Sequence, residues 1–165
     1  MNGFLTWFMS TIGQHISPQL SVLLVSMIPL IEERGGLILS RLLEIPLWKG
    51  VFYCVLGNII PIPFILFYIK KLLHWMADHH MARVVEWAEN KAAKNKEGIE
   101  KYGFWGLAIF VGVPLPGTGA WSGSLIAALL DMDLKKASLS ILIGVFIAAV
   151  IMTIVSYGAL GAILG

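Results

Sequence analysis

Long apolar stretches separated by short polar interruptions dominate the chain. Residues 46–73 and 134–164 are almost continuous apolar runs, and each exceeds the roughly 20 helical residues that cross a bilayer core. Two further apolar stretches, 18–45 and 102–131, are interrupted near their middle by polar residues or by Gly and Pro. This pattern predicts an all-α integral membrane protein in which only the two uninterrupted runs cross the membrane as helices.

The two interrupted stretches predict re-entrant helical hairpins. Each would form two half-helices of about 10 to 13 residues around a turn, and a helix of that length does not span a bilayer. Two half-helices can enter and leave on the same side if other protein shields the turn from lipid. The first tip is Glu32-Glu33-Arg34-Gly35-Gly36, and the second is VPLPGTGAWSG, residues 113–123.

The polar segment 74–101 separates the two halves of the chain. Its apolar residues recur at helical spacing among Lys, Glu and Asn, which predicts an amphipathic helix on the membrane surface. The N-terminal residues lack the basic start and the cleavage site of a signal peptide. We therefore expect residues 3–16 to form a second, shorter interfacial helix.

The sequence contains an internal repeat. A shift of 87 residues aligns 29–57 with 116–144 and brings Pro, Gly, Leu and Lys residues into register, with Glu44 opposite Asp131. A re-entrant hairpin followed by one crossing reverses the orientation of the second unit, so the repeat predicts inverted topology. Interrupted segments in matching positions of such repeats are typical of the central site of a transporter.

The distribution of cations predicts the orientation. Nine of the twelve Lys and Arg residues fall on the side of segment 74–101: Lys70, Lys71, Arg83, Lys91, Lys94, Lys96, Lys101, Lys135 and Lys136. An excess of cations favours the cytoplasmic side, so we expect the linker helix to be cytoplasmic and in contact with membrane lipids. The net charge of +2 is too small to indicate a nucleic-acid partner.

The first tip places ionisable groups at bilayer depth, where each costs roughly 3 kcal/mol or more. Arg34 can neutralise one of the two neighbouring carboxylates, which leaves the triplet at net −1. We therefore expect Glu32 or Glu33 to hold a proton and to couple transport to protons or ions. The alternative is that the triplet lies at the interface with its charges in water. We expect the chain to reverse at Gly35 and Gly36 and the second half-helix to begin there.

The second tip offers backbone N–H groups at its glycines, and Thr118 is expected to cap the half-helix that follows. Helix N-termini attract anions, so both half-helix starts together with Arg34 predict a site for phosphate or carboxylate. Tight helix packing by small residues is the alternative for the glycines. The predicted substrate-binding residues are Arg34, Gly35, Gly36, Pro116, Gly117, Thr118, Gly119, Trp121 and Ser122.

Other chemistry has little support in the sequence. The adjacent His79 and His80 point in different directions on a helix, which does not suit a metal site. The sequence shows no nucleophile–base pair and no metal-ligand spacing, so we predict neither an enzyme nor a bound cofactor. The single cysteine, Cys54, lies in an apolar run and is expected to be a buried small side chain.

The two tip motifs carry a family resemblance. Pro29, Glu32, Arg34 and Gly35, together with PLPGTGAWSG at 114–123, resemble the small multidrug export protein family. That family is similar in build to the wider DedA/VTT group of membrane proteins, and the resemblance covers about residues 18 to 160. It implies a prokaryotic inner-membrane protein. The residues that match the two tips of the family are Glu32, Arg34, Pro116, Gly117, Thr118, Gly119 and Trp121.

The resemblance implies two kinds of transport. The family description implies drug export, whereas the DedA/VTT group implies flipping of lipid phosphates such as undecaprenyl phosphate, often with proton coupling. We favour a transporter of an anionic, lipid-linked substrate by alternating access. The alternatives are proton-coupled export of small cationic drugs, with Glu32 or Glu33 and Trp121 at the site, and a scaffold that transports nothing. Because one protomer is small for covering two tips, we expect a homodimer.

Overall fold

The computed structural model describes residues 16–29, 31–79 and 81–159, and the regular structure within these ranges is all helical, as predicted. The interfacial helix expected at 3–16 lies almost entirely outside these ranges. The helices, in chain order, are α1 (Pro18–Ser26), α2 (Glu32–Leu42), α3 (Leu47–Ile59), α4 (Pro61–Asp78), α5 (Ala82–Gly112), α6 (Ala120–Leu129) and α7 (Leu134–Thr153), which continues as a π-helical turn, Ile154–Ala159.

Two helical stretches of the described chain are long and apolar enough to cross a membrane. The first span, Leu47–Asp78, consists of α3 and α4, and the second span, Leu134–Gly158, consists of α7 and most of the π-helical turn. Pro61 joins α3 to α4 without ending the helical course, because Ile60 keeps helical backbone angles. The two spans account for the uninterrupted apolar runs of the sequence.

The first helical hairpin consists of α1 and α2. Ser17 caps α1 by accepting a hydrogen bond from the backbone N–H of Leu20. The chain reverses between α1 and α2, and α2 packs against α1 and α3. The three helices enclose a core that includes Val22, Leu37 and Cys54, all fully buried.

The surface helix differs from its predicted boundaries. The helix expected over 74–101 is divided, because residues 74–78 continue α4 and α5 begins only at Ala82. The backbone N–H groups of His79 and Met81 both donate to the carbonyl of Met76, which ends α4. A second break lies at Gly103, where φ is 54° and ψ is −123°. Helix α5 is thus an amphipathic segment before Gly103 and an apolar segment after it.

The second helical hairpin consists of residues 104–112 of α5, the loop 113–119 and α6. Its first arm packs on α7, where Leu107 and Val111 are buried in the larger core and Ala108 is also fully buried. The hairpin therefore has the same three parts as the first, namely an arm, a turn and a second half-helix. The second half-helices of the two hairpins, α2 and α6, are each followed directly by a span.

The 87-residue repeat extends to backbone conformation. Helix α3 begins at Leu47 and α7 begins at Leu134, the equivalent position. Glu44 and Asp131 follow α2 and α6, and both have a φ of 54°, in the left-handed region. In each half, the residue after this one donates its N–H back to a carbonyl in the last turn of the helix, so the two helices end in the same way.

Candidate functional site: the junction of the two hairpin tips

Glu32 connects the two hairpins. It is the first residue of α2, and its side chain is only 2 % exposed. Its carboxylate oxygens accept hydrogen bonds from the backbone N–H groups of Ala120 and Trp121, each at 3.0 Å. These are the first two residues of α6, whose N–H groups have no partner within the helix. Glu32 therefore caps α6, where a negative charge is favourable.

Gly119 makes this contact possible. Its φ of 123° is unfavourable for other residues, and a Cβ added there would overlap the carboxylate of Glu32. Glu32 and Gly119 are equivalent positions of the repeat, and Glu32 also has a left-handed φ, of 50°. The two halves of the molecule thus contact each other through equivalent positions of the repeat.

The side chain of Arg34 binds carbonyl oxygens of the second tip. Its guanidinium donates to the carbonyls of Leu115 and Val113 and to Oγ1 of Thr118, the last at 3.0 Å. Arg34 forms no direct ion pair with Glu32 or Glu33 among the described residues, and the neutralisation of one of them by its nearby charge stays a prediction. The reason for the missing ion pair is geometric, because the loop presents three acceptors to a fork of five donors.

Thr118 does not cap α6 as predicted. Its hydroxyl lies 2.7 Å from the carbonyl oxygen of Val113 and 2.9 Å from that of Leu115, and it also accepts the hydrogen bond from Arg34. Glu32 already occupies the N-terminus of α6, so Thr118 instead closes the loop on itself and orients it towards Arg34. We name the contacts of Glu32, Arg34, Thr118, Gly119 and Trp121 the tip junction.

The expected role of Gly35 and Gly36 in chain reversal is also wrong. The reversal occurs before α2 begins at Glu32, and both glycines lie within α2. A Cβ at Gly36 would overlap Oγ of Ser26 and lie 3.0 Å from Sγ of Cys54, whereas a Cβ at Gly35 would overlap the side chain of Ile31. Gly36 therefore serves the close approach of α1 and α3 to α2, and the half-helix begins three residues earlier than expected.

Glu33 has a different environment from Glu32. Its side chain is 2 % exposed, and its Oε2 atom has no hydrogen-bond partner within the described part of the chain. Asn58 of the first span lies nearby and is 1 % exposed, and neither polar atom of its amide has a partner there. Glu33 and Asn58 form a buried polar pair next to the tip junction.

The remaining predicted residues line two cavities. Trp121 donates from Nε1 to the carbonyl of Met27 at 3.1 Å, and with Ser122 it lines an apolar cavity of about 280 Å³. Pro116 and Gly117 line a polar cavity of about 340 Å³ beside α5. The structure thus brings five of the predicted residues into one junction and places these others around it.

Sequence reasoning missed Lys91 as a site residue. Its Nζ atom lies 5.2 Å from the centre of the Trp87 ring and borders the polar cavity with Gly117. Burial lowers the pKa of Lys91, and the nearby carboxylate of Glu32 opposes that shift. The spacing of Trp87 and Lys91, four residues apart on one helix, was the available signal, but the four other cations of segment 74–101 resemble Lys91 in sequence.

Comparison with known proteins concerns the part of the chain that holds this junction. A family model described as "Putative small multi-drug export protein" matches residues 32–151, from Glu32 through most of α7. No curated protein and no solved structure matches the chain. The matched segment covers more than two thirds of the sequence and includes both tips. The likeness to the DedA/VTT group stays a prediction.

Proposed function

We propose that this chain, which belongs to the small multi-drug export protein family, is a membrane transporter and moves an anionic, lipid-linked substrate through the tip junction. One observation carries the proposal. The carboxylate of Glu32, from one hairpin, occupies the N-terminus of α6 in the other. Two buried backbone N–H groups at a helix start are a ready site for an oxyanion, and a phosphate monoester offers the same acceptor oxygens.

In this mechanism Glu32 is an internal competitor of the substrate. While it is ionised, its charge-assisted hydrogen bonds hold α6 and close the junction. Protonation removes the charge and weakens these bonds, so that the phosphate of a substrate replaces the carboxylate at Ala120 and Trp121. Arg34 then exchanges loop carbonyls for phosphate oxygens, which its planar fork of donors suits.

We assign the resident proton of the closed state to Glu33. A carboxylate buried without hydrogen-bond partners is costly, whereas a protonated carboxyl is far less so. With Glu33 protonated, Glu32 ionised and Arg34 charged, the tip carries no net charge. That arrangement lowers the cost of placing three ionisable residues at bilayer depth. The neutral amide of Asn58 lies beside the Glu33 carboxyl and adds no charge to this buried place.

The membrane arrangement belongs to the same proposal. Helices α1 and α6 contain 9 and 10 residues, too few to span a bilayer, which supports two re-entrant hairpins that enter from opposite sides. We place the surface part of α5 on the cytoplasmic side of a prokaryotic cytoplasmic membrane and a second protomer over the tips. Alternating access then consists of parting the junction on one side at a time.

Transport in vesicles tests this proposal. We expect wild-type protein to move a fluorescent prenyl phosphate faster as the pH falls, because protonation of Glu32 frees the site. Glu32→Gln, which mimics the protonated form, should move it at a rate that depends much less on pH. Glu97→Gln, an exposed carboxylate on α5, should behave as wild type. An unchanged pH profile in Glu32→Gln would reject the mechanism.

Export of lipophilic cations is a second candidate, favoured by the apolar cavity lined by Trp87 and Trp121. Glu32 binds the backbone of Trp121 and so lies beside that cavity. The same vesicles loaded with ethidium distinguish the candidates. Ethidium efflux that is lost in Glu32→Gln, without transport of prenyl phosphate by wild type, would establish the second. If neither compound moves, both transport candidates fail and the scaffold alternative remains.

A further inference from the structure

A polar cavity of about 340 Å³ lies between the second tip and the surface helix α5. Its walls carry two ammonium groups, two carboxamides and one hydroxyl, and no acidic residue lines it among the described residues. The polar groups belong to Asn90, Lys91, Lys94, Asn95 and Thr118. This set of hydrogen-bond donors without a carboxylate suits an anion with several acceptor oxygens.

Lys91 has the carboxylate of Glu32 in its vicinity but forms no ion pair with it among the described residues. The ion pairs found within the described ranges join Lys70 to Asp131 and Lys96 to Glu100, and neither includes Lys91 or Lys94. Lys91 is partly buried, with its ammonium over the ring of Trp87 and against Gly117. A partly desolvated ammonium gains from an anion that enters the cavity.

Trp87 separates this cavity from an apolar one. The second cavity, of about 280 Å³, is lined by Trp121 of α6, by side chains of α4 such as Leu72 and Met76, and by Trp87 itself. A cationic compartment and an apolar compartment therefore share one wall. The dimensions suit a molecule with a compact anionic head and a hydrocarbon chain.

We propose that the two cavities form one site for an anionic amphiphile, with its head at Lys91 and Lys94 and its chain along Trp87 and Trp121. The proposal rests on the proposed function, since it gives the substrate a position outside the closed junction. Thr118 belongs to the tip junction, where it binds Arg34, and it also lines the polar cavity. An anionic head in this cavity would therefore lie next to the junction. The site thus binds the substrate before its phosphate replaces the Glu32 carboxylate at Ala120 and Trp121.

Binding to the purified full chain in a neutral detergent tests this site. The probes are dodecyl phosphate, dodecanol and inorganic phosphate, with dissociation constants compared at one micelle concentration. We expect dodecyl phosphate to bind at least tenfold more tightly than either of the others. The double variant Lys91→Gln/Lys94→Gln should weaken dodecyl phosphate at least tenfold and leave dodecanol unchanged.

A matched double variant controls for charge. Lys96→Gln/Lys101→Gln removes the same charge from the same helix, but neither residue lines the polar cavity, so it should bind dodecyl phosphate as wild type does. Equal losses in the two double variants would show an unspecific charge effect and overturn the site. Inorganic phosphate binding as tightly as dodecyl phosphate would overturn the role of the apolar cavity.

One further variant separates this inference from the proposed function. Glu32→Gln should bind dodecyl phosphate at least as tightly as wild type, because Glu32 lines neither cavity and the substitution removes a negative charge near Lys91. If the lysine variant binds normally while Glu32→Gln abolishes the pH dependence of transport, only the bipartite site is wrong. If binding depends on the lysines and transport does not respond to Glu32→Gln, the site stands and the mechanism at the junction is wrong.

Discussion

Two adjacent glutamates have opposite environments at the junction. Neighbouring residues on a helix point about 100° apart, so Glu32 faces α6 while Glu33 faces the first span. Glu32 has two backbone N–H partners, whereas Glu33 has an oxygen without any among the described residues. Equal acids in one dipeptide thus differ in structure: Glu32 caps a helix, and Glu33 lies in a buried polar pair with Asn58.

At the scale of single residues, Glu32→Ala should destabilise the protein by about 1–3 kcal/mol, because it leaves two buried N–H groups without acceptors. Thermal unfolding of the purified protein in detergent measures this loss. Glu97→Ala, which removes an exposed carboxylate, should change the free energy of unfolding by less than about 0.5 kcal/mol. Equal effects of the two variants would show that the cap contributes nothing to stability.

Glycines set the distance between each hairpin and its span. Gly57 and Gly144 are equivalent positions, and a Cβ at either would strike a backbone carbonyl, that of Leu23 in the first half and that of Ala108 in the second. Membrane helices pack closely where small residues allow their backbones to approach. The repeat therefore preserves a packing interface as well as a sequence pattern.

At the scale of helices, two Gly→Ala substitutions should change the free energy of unfolding in opposite directions. Gly144→Ala places a Cβ 2.7 Å from the carbonyl oxygen of Ala108, and such overpacking costs about 1–3 kcal/mol. Gly98→Ala meets nothing within 4 Å and should stabilise α5 by about 0.5–1 kcal/mol. Melting temperatures of the two variants check this, and a Gly144→Ala protein as stable as wild type would contradict the close packing.

Each span also makes a polar contact with the C-terminal end of the hairpin from the other half of the chain. Lys70 of the first span pairs with Asp131 after α6, and the equivalent Tyr157 of the second span donates to the carbonyl of Ile45 at 3.1 Å and lies 2.8 Å from Oγ of Ser40. The two halves share an apolar core and are also joined by polar contacts, at the central junction and at one further place on each side of it. The exposed ion pair contributes about 0–1 kcal/mol, which suits a contact that opens.

At the scale of the whole molecule, the proposed inverted topology puts Lys49 and Lys94 on opposite sides of the membrane. Both are exposed, and the native Cys54 is fully buried, so wild type is the unlabelled control. A membrane-impermeant maleimide added to intact cells should label Lys49→Cys. Lys94→Cys should be labelled only after permeabilisation. Labelling of both in intact cells would contradict the arrangement.

The sequence by itself determined the helices, the two interruptions and the pairing of the tips. Helix length and apolar content are local properties, and Glu32-Glu33-Arg34 and PLPGTGAWSG stood out because polar and Gly/Pro-rich residues are rare at such depth. The 87-residue repeat added that these interruptions occupy equivalent places. These features need no knowledge of which side chains touch.

Only the tertiary structure decided the partners at the junction. Arg34 binds carbonyls rather than a carboxylate, and Glu32 caps a helix that starts 88 residues later. Backbone N–H and C=O groups exist at every residue, so nothing in the sequence distinguishes the ones left free at a helix end or a loop. For the same reason Lys91 resembled its neighbours until the fold set it beside Gly117. The local pattern of apolar and polar residues determines where helices form. Contacts between residues far apart in the sequence determine which backbone N–H and C=O groups the side chains of the site bind.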